Sequence, residues 1–259
     1  MKSRKFYSII IALFCCLAVN SYTAFADNSV YTPLDSGNAA YHKADYQKAI
    51  GFYQKFINGG IQSAQAFYNL GNCYYRTNEI SKAILYYEKA EKLIPNDPDV
   101  QFNLQLANQK ITDKVPADAP VFLLTGWKKF ENTFTEKQWS LLCIAILCFS
   151  LLLFAMYLIF SNLFMKQFCF WSGFVVFFIS IFAFFMAHQQ YDSLNSHDTA
   201  IVMTGSVTVK GAPEDKSTQL FVIHEGTKVW IIKNEGMWTE IKLSNGNQGW
   251  LISSDISAI

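Results

Sequence analysis

Three hydrophobic patterns divide the chain. Between Lys137 and Lys166 no residue is charged, and the run 139–160 is almost wholly Leu, Ile, Phe, Ala and Cys; a second uncharged run, 168–187, follows Gln167. Each run is about 20 residues, enough at ~1.5 Å per residue to cross a ~30 Å hydrocarbon core. The alternative is a pair of buried helices in a soluble core, but a soluble helix keeps a polar stripe and these have none. The pattern predicts transmembrane helices over 138–160 and 168–188 joined by a short loop, 161–167. Such a hairpin places everything before and after it on one side.

Ahead of the hairpin the period is helical, and the sequence repeats itself. An offset of 34 residues aligns Gly37 with Gly71, Asn38 with Asn72, Tyr41 with Tyr75 and Lys48 with Lys82, and then Ala49, Ile50, Tyr53 and Lys55 with Ala83, Ile84, Tyr87 and Lys89. Gly71 fits a close approach of two helices, Tyr74 the large residue that fills the gap and Ala83 the small residue opposite, while Pro95 ends the second helix. These residues resemble the tetratricopeptide repeat, a helix–turn–helix unit of 34 residues. In the first unit Ala40 stands where Tyr74 does, and Asn58-Gly59-Gly60 replaces the proline. Residues 97–111, with Phe102, Leu104, Leu106 and Ile111, read as a capping helix that closes an array over 27–111.

Beyond residue 199 the period falls to two. Strands are expected at 201–203, 207–209, 220–223, 228–232, 238–243 and 248–251, with turns at Gly211-Ala212-Pro213, Glu225-Gly226, Asn234-Glu235-Gly236 and Asn245-Gly246. Short strands at this spacing argue a small barrel over 200–259. Val207-Thr208-Val209-Lys210, Glu225-Gly226-Thr227-Lys228-Val229, Gly236-Met237-Trp238 and Gly249-Trp250-Leu251 resemble a bacterial SH3-like domain, a class that binds wall peptides or proteins. Trp238 and Trp250 are read as core or half-buried hairpin residues ahead of a ligand platform, and His224 as exposed.

The remaining segments connect these parts. Lys2, Arg4 and Lys5 precede an apolar stretch and Ala24-Phe25-Ala26, the anatomy of a secretory signal cleaved after residue 26; an uncleaved anchor is the alternative. Residues 112–137 read as a proline-containing linker and an amphipathic helix with Phe122, Leu123, Trp127, Phe130 and Phe134 at the lipid interface, or packed on the repeats; 189–199 read as a second linker. Export of the first segment puts both soluble domains outside the cytoplasm. Lys128, Lys129 and Lys137 oppose that orientation, since the loop to be held inside has only Lys166.

Charge and chemistry narrow the function. A net charge of +1 gives no reason to expect nucleic acid. The four histidines are scattered, with no metal spacing, phosphate loop or nucleophile elbow, so no enzyme, cofactor, metal or catalytic residue is expected. Repeats of this kind bind peptides or partner helices along the row of first (A) helices. Here that row carries Asn38, Tyr41 and His42, then Gln65, Tyr68 and Asn69, then Asn72, Tyr75 and Arg76. Asn38 and Asn69 match the asparagines of repeats that clamp a peptide carboxylate, but Leu34, Asp99 and Asn103 stand where the clamp has cations. General polar groove surface is therefore preferred to a clamp.

The whole order of parts is that of a multi-domain membrane protein: all-α tetratricopeptide repeats, a two-span hairpin and an all-β SH3-like barrel. It resembles the BatE-type proteins of the Bacteroides aerotolerance (Bat) operon family, most strongly through this architecture and the segment 220–229. The resemblance implies a multi-pass protein of the bacterial inner membrane with both soluble domains in the periplasm. It also implies partners among the membrane proteins of the same envelope complex, some with von Willebrand A-type domains, and a link to oxygen or oxidative-stress tolerance. The expected function is a non-enzymatic scaffold in the lipid bilayer. The alternative is an anchor whose SH3-like domain holds peptidoglycan while the repeats recruit a partner.

Overall fold

A computed structural model describes residues 28–114 and 122–259. The expected signal peptide and Pro116 and Pro120 of the expected linker lie outside the described residues. Five helices open the fold: α1 (Asn28–His42), α2 (Tyr46–Asn58), α3 (Ala64–Arg76), α4 (Ile80–Leu93) and α5 (Pro98–Asn108). Their starts are set locally. Asp45 and Ser63 accept from the backbone N–H three residues on, and Asp97 accepts from Asp99 and Val100 behind Pro98. All four helix–helix turns contain a left-handed residue, Ala44, Gly60, Asn78 and Asn96, and Ala44 at φ 57° and Asn78 at φ 63° stand one period apart.

The 34-residue offset reappears in the packing. A Cβ on Gly37 would lie 2.6 Å from the Tyr53 ring, and one on Gly71 2.7 Å from the Tyr87 ring, so each glycine lets the tyrosine of the next helix lie against the backbone. Ala49, Ala66 and Ala83 are fully buried among Tyr53, Leu70, Ile84 and Tyr87. The expected capping helix, α5, departs from expectation. Val100 and Ala107 carry its buried side with Leu104 partly buried, whereas Phe102 is 60% exposed. Phe102 follows Tyr68 by one period, so it stands on the A-helix row and does not seal the end of the stack.

Helix α6 (Phe122–Glu131) leads into α7 (Glu136–Ile159) and α8 (Leu163–Asn195). Thr135 and Gln138 form a reciprocal capping box at the start of α7. The two long helices are antiparallel neighbours joined through residues 160–162, with mean hydropathy 2.8 and 2.3 over their most apolar windows, long and apolar enough to cross a membrane. Ser150 Oγ donates to the Gly173 carbonyl at 2.9 Å, a contact that requires the close backbone approach Gly173 permits. Most of their Leu, Ile and Phe side chains point outward.

Two expectations at the hairpin base need correction. Residues 189–195, expected as linker, continue α8, because loss of hydropathy marks the end of an apolar run and not the end of a helix, and no Gly or Pro interrupts them. At ~1.5 Å per residue α8 is about 50 Å long and carries its last turns well past the apolar stretch. The expected amphipathic helix also does not turn all its polar residues to solvent, because Glu131, next to Phe130, is buried. Gln189 donates to its carboxylate at 3.2 Å, and Gln190 and the Trp139 indole donate to its carbonyl. Burial raises its carboxyl above the ordinary range against the opposing pull of Lys128. Phe130 and Phe134 pack on Trp139, tying α6 to the hairpin.

The C-terminal part is one antiparallel sheet of seven strands: β1 (Thr199–Val202), β2 (Ser206–Lys210), β3 (Gln219–His224), β4 (Lys228–Glu235), β5 (Trp238–Lys242), β6 (Gln248–Ile252) and β7 (Ile256–Ala258). Their order across the sheet is β3-β2-β6-β5-β4-β1-β7. β3 and β7 are the outer strands and do not pair, so the expected barrel is an unclosed ladder. Its inner face still converges on one core, Val202, Val207, Val209, Ile223, Val229, Ile241 and Leu251 among them. β2 meets β6 at a single register pair, Lys210 with Trp250, where a Cβ on Gly249 would come 2.8 Å from the Lys210 carbonyl. The hairpin turn between β4 and β5 falls at Gly236–Met237.

Candidate functional site

Two surfaces concentrate polar side chains: the row of A helices α1, α3 and α5, and the seam between the repeats and the sheet. On the row, Asn38 Oδ1 accepts from the Tyr53 hydroxyl at 2.8 Å and from Asn69 Nδ2 at 3.0 Å. One period on, Asn72 Oδ1 accepts from the Tyr87 hydroxyl at 2.7 Å and from Asn103 Nδ2 at 2.9 Å. A tyrosine from the second helix of each unit thus fixes an asparagine on the first, and the next unit's asparagine bridges to it. Burial drives the Tyr53 and Tyr87 hydroxyls far above their ordinary range, so both stay protonated and donating.

The sequence-predicted residues fall into place unequally. Asn38, Asn69 and Asn72 join this amide network. Tyr68 accepts from Asn103 at 2.9 Å, and Lys110 lies 4.1 Å over the Tyr75 ring. Tyr41 favours the charged form of the Arg76 guanidinium and meets the His42 ring edge-on. Gln65 is exposed and outside these contacts. Asn103, Lys110 and Phe102 complete the row. One further step of the same offset from Asn69, Arg76 and Tyr68 reaches them, although the sequence identities fade there. Leu34 is buried, which removes it from any clamp.

Residues 64–97 match the tetratricopeptide repeat family. That span is α3, α4 and the turn up to Asp97, the unit with both the glycine and the proline in place. The tetratricopeptide repeat is a protein-binding module, so the row of A helices is the candidate interaction surface of this chain. None of the curated proteins matches the chain.

The tetratricopeptide register also explains the seam. Asp45 and Glu79 stand one period apart at the starts of α2 and α4, and the next step falls on Asp113. There Asp113 caps the sheet: it accepts from the His224 backbone N–H at 2.6 Å, faces His224 Nδ1 at 2.8 Å and accepts from Thr227 Oγ1 at 3.1 Å. His224, expected to be exposed, is held on this carboxylate because the β3–β4 turn lies against the repeats. Ile201, Met203 and Ile259 enter the repeat core beside Ile84. Ser81 donates to Glu225 at 3.0 Å and Lys228 to Glu88 at 2.6 Å. Lys92 donates to the backbone oxygens of Ser196 and Ile259, joining repeat, long helix and sheet.

Burial alone would raise the Asp113 carboxyl, but the hydrogen bonds from His224 and Thr227 outweigh it and hold the group below its ordinary value. A lowered folded-state carboxyl contributes stability that is complete above the unfolded value of about 3.9 and is lost as pH falls through the folded value. The acid limb of a melting-temperature profile of the intact protein should therefore be shallower below about pH 4 in Asp113→Asn, which should also melt lower at neutral pH. Parallel profiles would leave Asp113 without a role in the seam.

Cys73 is fully buried and its thiol is pushed up to about 12 by burial, which keeps it an unreactive thiol at neutral pH. Among the described residues no three His, Cys, Asp or Glu side chains group at metal-binding distance. Trp250 is buried with Lys233 4.7 Å over its ring, and Lys210 lies 5.0 Å over Trp238.

Proposed function

We propose that this protein is a non-enzymatic, membrane-anchored scaffold that assembles partner proteins on the row of A helices. The observation that carries the reading is the juxtaposition of a tetratricopeptide surface, repeating its polar contacts every 34 residues, with two helices whose large apolar side chains lie outward. The repeats and the sheet touch each other, so a membrane crossed by the hairpin has both on one side. The connection from α8 to β1 is only residues 196–198, which holds the sheet close to that membrane. The turn residues of the unclosed sheet support the SH3-like reading, in which the module braces the repeats. The whole architecture supports a role in a bacterial inner-membrane complex with both domains in the periplasm, among partners that include von Willebrand A-type membrane proteins, and a link to aerotolerance.

Cross-linking on native membranes followed by co-purification tests the scaffold: other membrane proteins should be captured through α1, α3 and α5. Recovery of nothing but lipid would end the reading. Retention of the protein on purified wall sacculi through residues 199–259 would favour the peptidoglycan anchor instead. That alternative is weaker at Trp250, which is buried, and at Trp238, which has Lys210 over its ring, and it rests on the exposed Trp230. For orientation, alkaline phosphatase fused after Ile111 or after Ile259 should be active, and fused within 160–162 inactive. The reverse pattern places both domains in the cytoplasm.

A further inference from the structure

The exposed side of the A-helix row repeats with the same step as its core. His42, Arg76 and Lys110 stand one period apart, at or just past the C-terminal ends of α1, α3 and α5, and all three are solvent-accessible. Lys110 rests on Tyr75 of the unit before it, and the same offset sets Arg76 beside Tyr41, which favours the charged guanidinium. Such contacts position a positive charge without neutralising it. The acids nearest in sequence recur at the same step and are engaged elsewhere. Asp45 caps α2, Glu79 pairs with Lys82 at 2.5 Å, and Asp113 holds the sheet. Asp35 and Asp99 lie seven or more residues back along their helices, about 10 Å or further from His42 and Lys110.

Beside this row the amide network leaves a regular remainder. Asn38 and Asn72 each have both Oδ1 lone pairs taken, so what each can add is an Nδ2 donor. Asn69 and Asn103 donate from Nδ2, and what each can add is an Oδ1 acceptor. One donor and one acceptor per step is the complement of the C=O and N–H of a peptide unit. Packed helices lie 8–10 Å apart, about one turn of three residues of a polyproline II chain at ~3.1 Å each.

We infer that the row binds an extended acidic segment of a partner protein in the polyproline II conformation, whose three residues per turn bring every third side chain to one face, with its backbone on the asparagine pairs and a carboxylate about every third residue against His42, Arg76 and Lys110. This rests on the repeats being the partner-binding element, and it adds the chemistry of what they bind. The probes are three fluorescein-labelled peptides, read by anisotropy against the intact detergent-solubilised protein. One has Glu at every third position between Gly, Ser and Ala, one has the same residues with the Glu clustered at one end, and one has Lys for each Glu.

The periodic Glu peptide should bind tightest, the clustered one more weakly and the Lys peptide not at all, with affinity falling as salt rises. The variant Arg76→Glu with Lys110→Glu should weaken the periodic peptide about tenfold or more at unchanged melting temperature. Lys48→Glu with Lys55→Glu changes charge equally on α2 and should weaken it far less. Equal binding of the three peptides, or equal loss in both double variants, overturns the inference. If no peptide binds while membrane partners still co-purify through the repeats, the acidic segment is wrong and the scaffold stands.

Discussion

Replacing Gly226 by Val should detach the sheet from the repeats. Gly226 has φ +85°, a backbone conformation that costs a side-chain-bearing residue about 1–2 kcal/mol, and a Cβ there would come 2.4 Å from Ile111 Cγ2 and 3.3 Å from Ile84 Cδ1. Ile84 is buried in the repeat core, so neither the turn nor the helix has room to give. Strain and overpacking together should cost about 3 kcal/mol or more in the intact protein. Gly246 is the control: its φ is +86° with no atom within 4 Å of a Cβ, so Gly246→Val carries the strain alone. Urea unfolding in detergent, with hydrogen exchange of the α4 amides, should show Gly226→Val exposing the face of α4 under Ile201, Met203 and Ile259. Equal losses in the two variants would mean that the seam contributes nothing.

The seam changes how the two soluble parts relate. Composition suggests a flexible connection of about a dozen residues between hairpin and sheet, giving a loosely tethered second domain. Instead α8 runs to Asn195, three residues precede β1, and the sheet shares core with α4. The repeats therefore have their exposed end braced by strands where a third unit would place its second helix. A partner bound on the A-helix row meets a preset geometry, which lowers the ordering cost of binding.

Local patterns explain which elements were legible. β2 alternates apolar and polar residues, the strands stand between strong turn signals, α2, α3 and α5 start on side-chain caps and α1 and α3 share a repeated glycine, so spacing places most of these elements. β7 is three residues long after a short 3-10 turn, too little for a period to register. The extension of α8 is hidden because a switch to polar residues imitates the end of a helix. Asp113 and His224 are 111 residues apart and meet only through the docking of two domains, so neither position carries a local signal. Asn38, Asn69 and Asn72 are visible as a row. Their mutual bonds, and the roles of Asn103 and Lys110, need the geometry of neighbouring units.

The repeat packing yields a pair of substitutions that should act in opposite directions. Gly51 on α2 has nothing within 4 Å of the place a Cβ would take, so Gly51→Ala should stabilise the protein by about 0.5–1 kcal/mol through helix propensity alone. Gly71 on α3 would place the same methyl 2.7 Å from two atoms of the Tyr87 ring. Tyr87 is 1% exposed and its hydroxyl is committed to Asn72, so the ring cannot move aside without leaving a buried hydroxyl unpaired. Overpacking of about 1–3 kcal/mol should exceed the propensity gain, and Gly71→Ala should melt several degrees lower. Since the ring also positions Asn72, the same variant should weaken binding on the A-helix row, whereas Gly51→Ala should leave it intact. Thermal melting of both variants in detergent, alongside partner capture, checks the two effects together. If Gly71→Ala is as stabilising as Gly51→Ala, then α3 and α4 do not approach as the tetratricopeptide packing requires, and the amide row built on that approach falls with it.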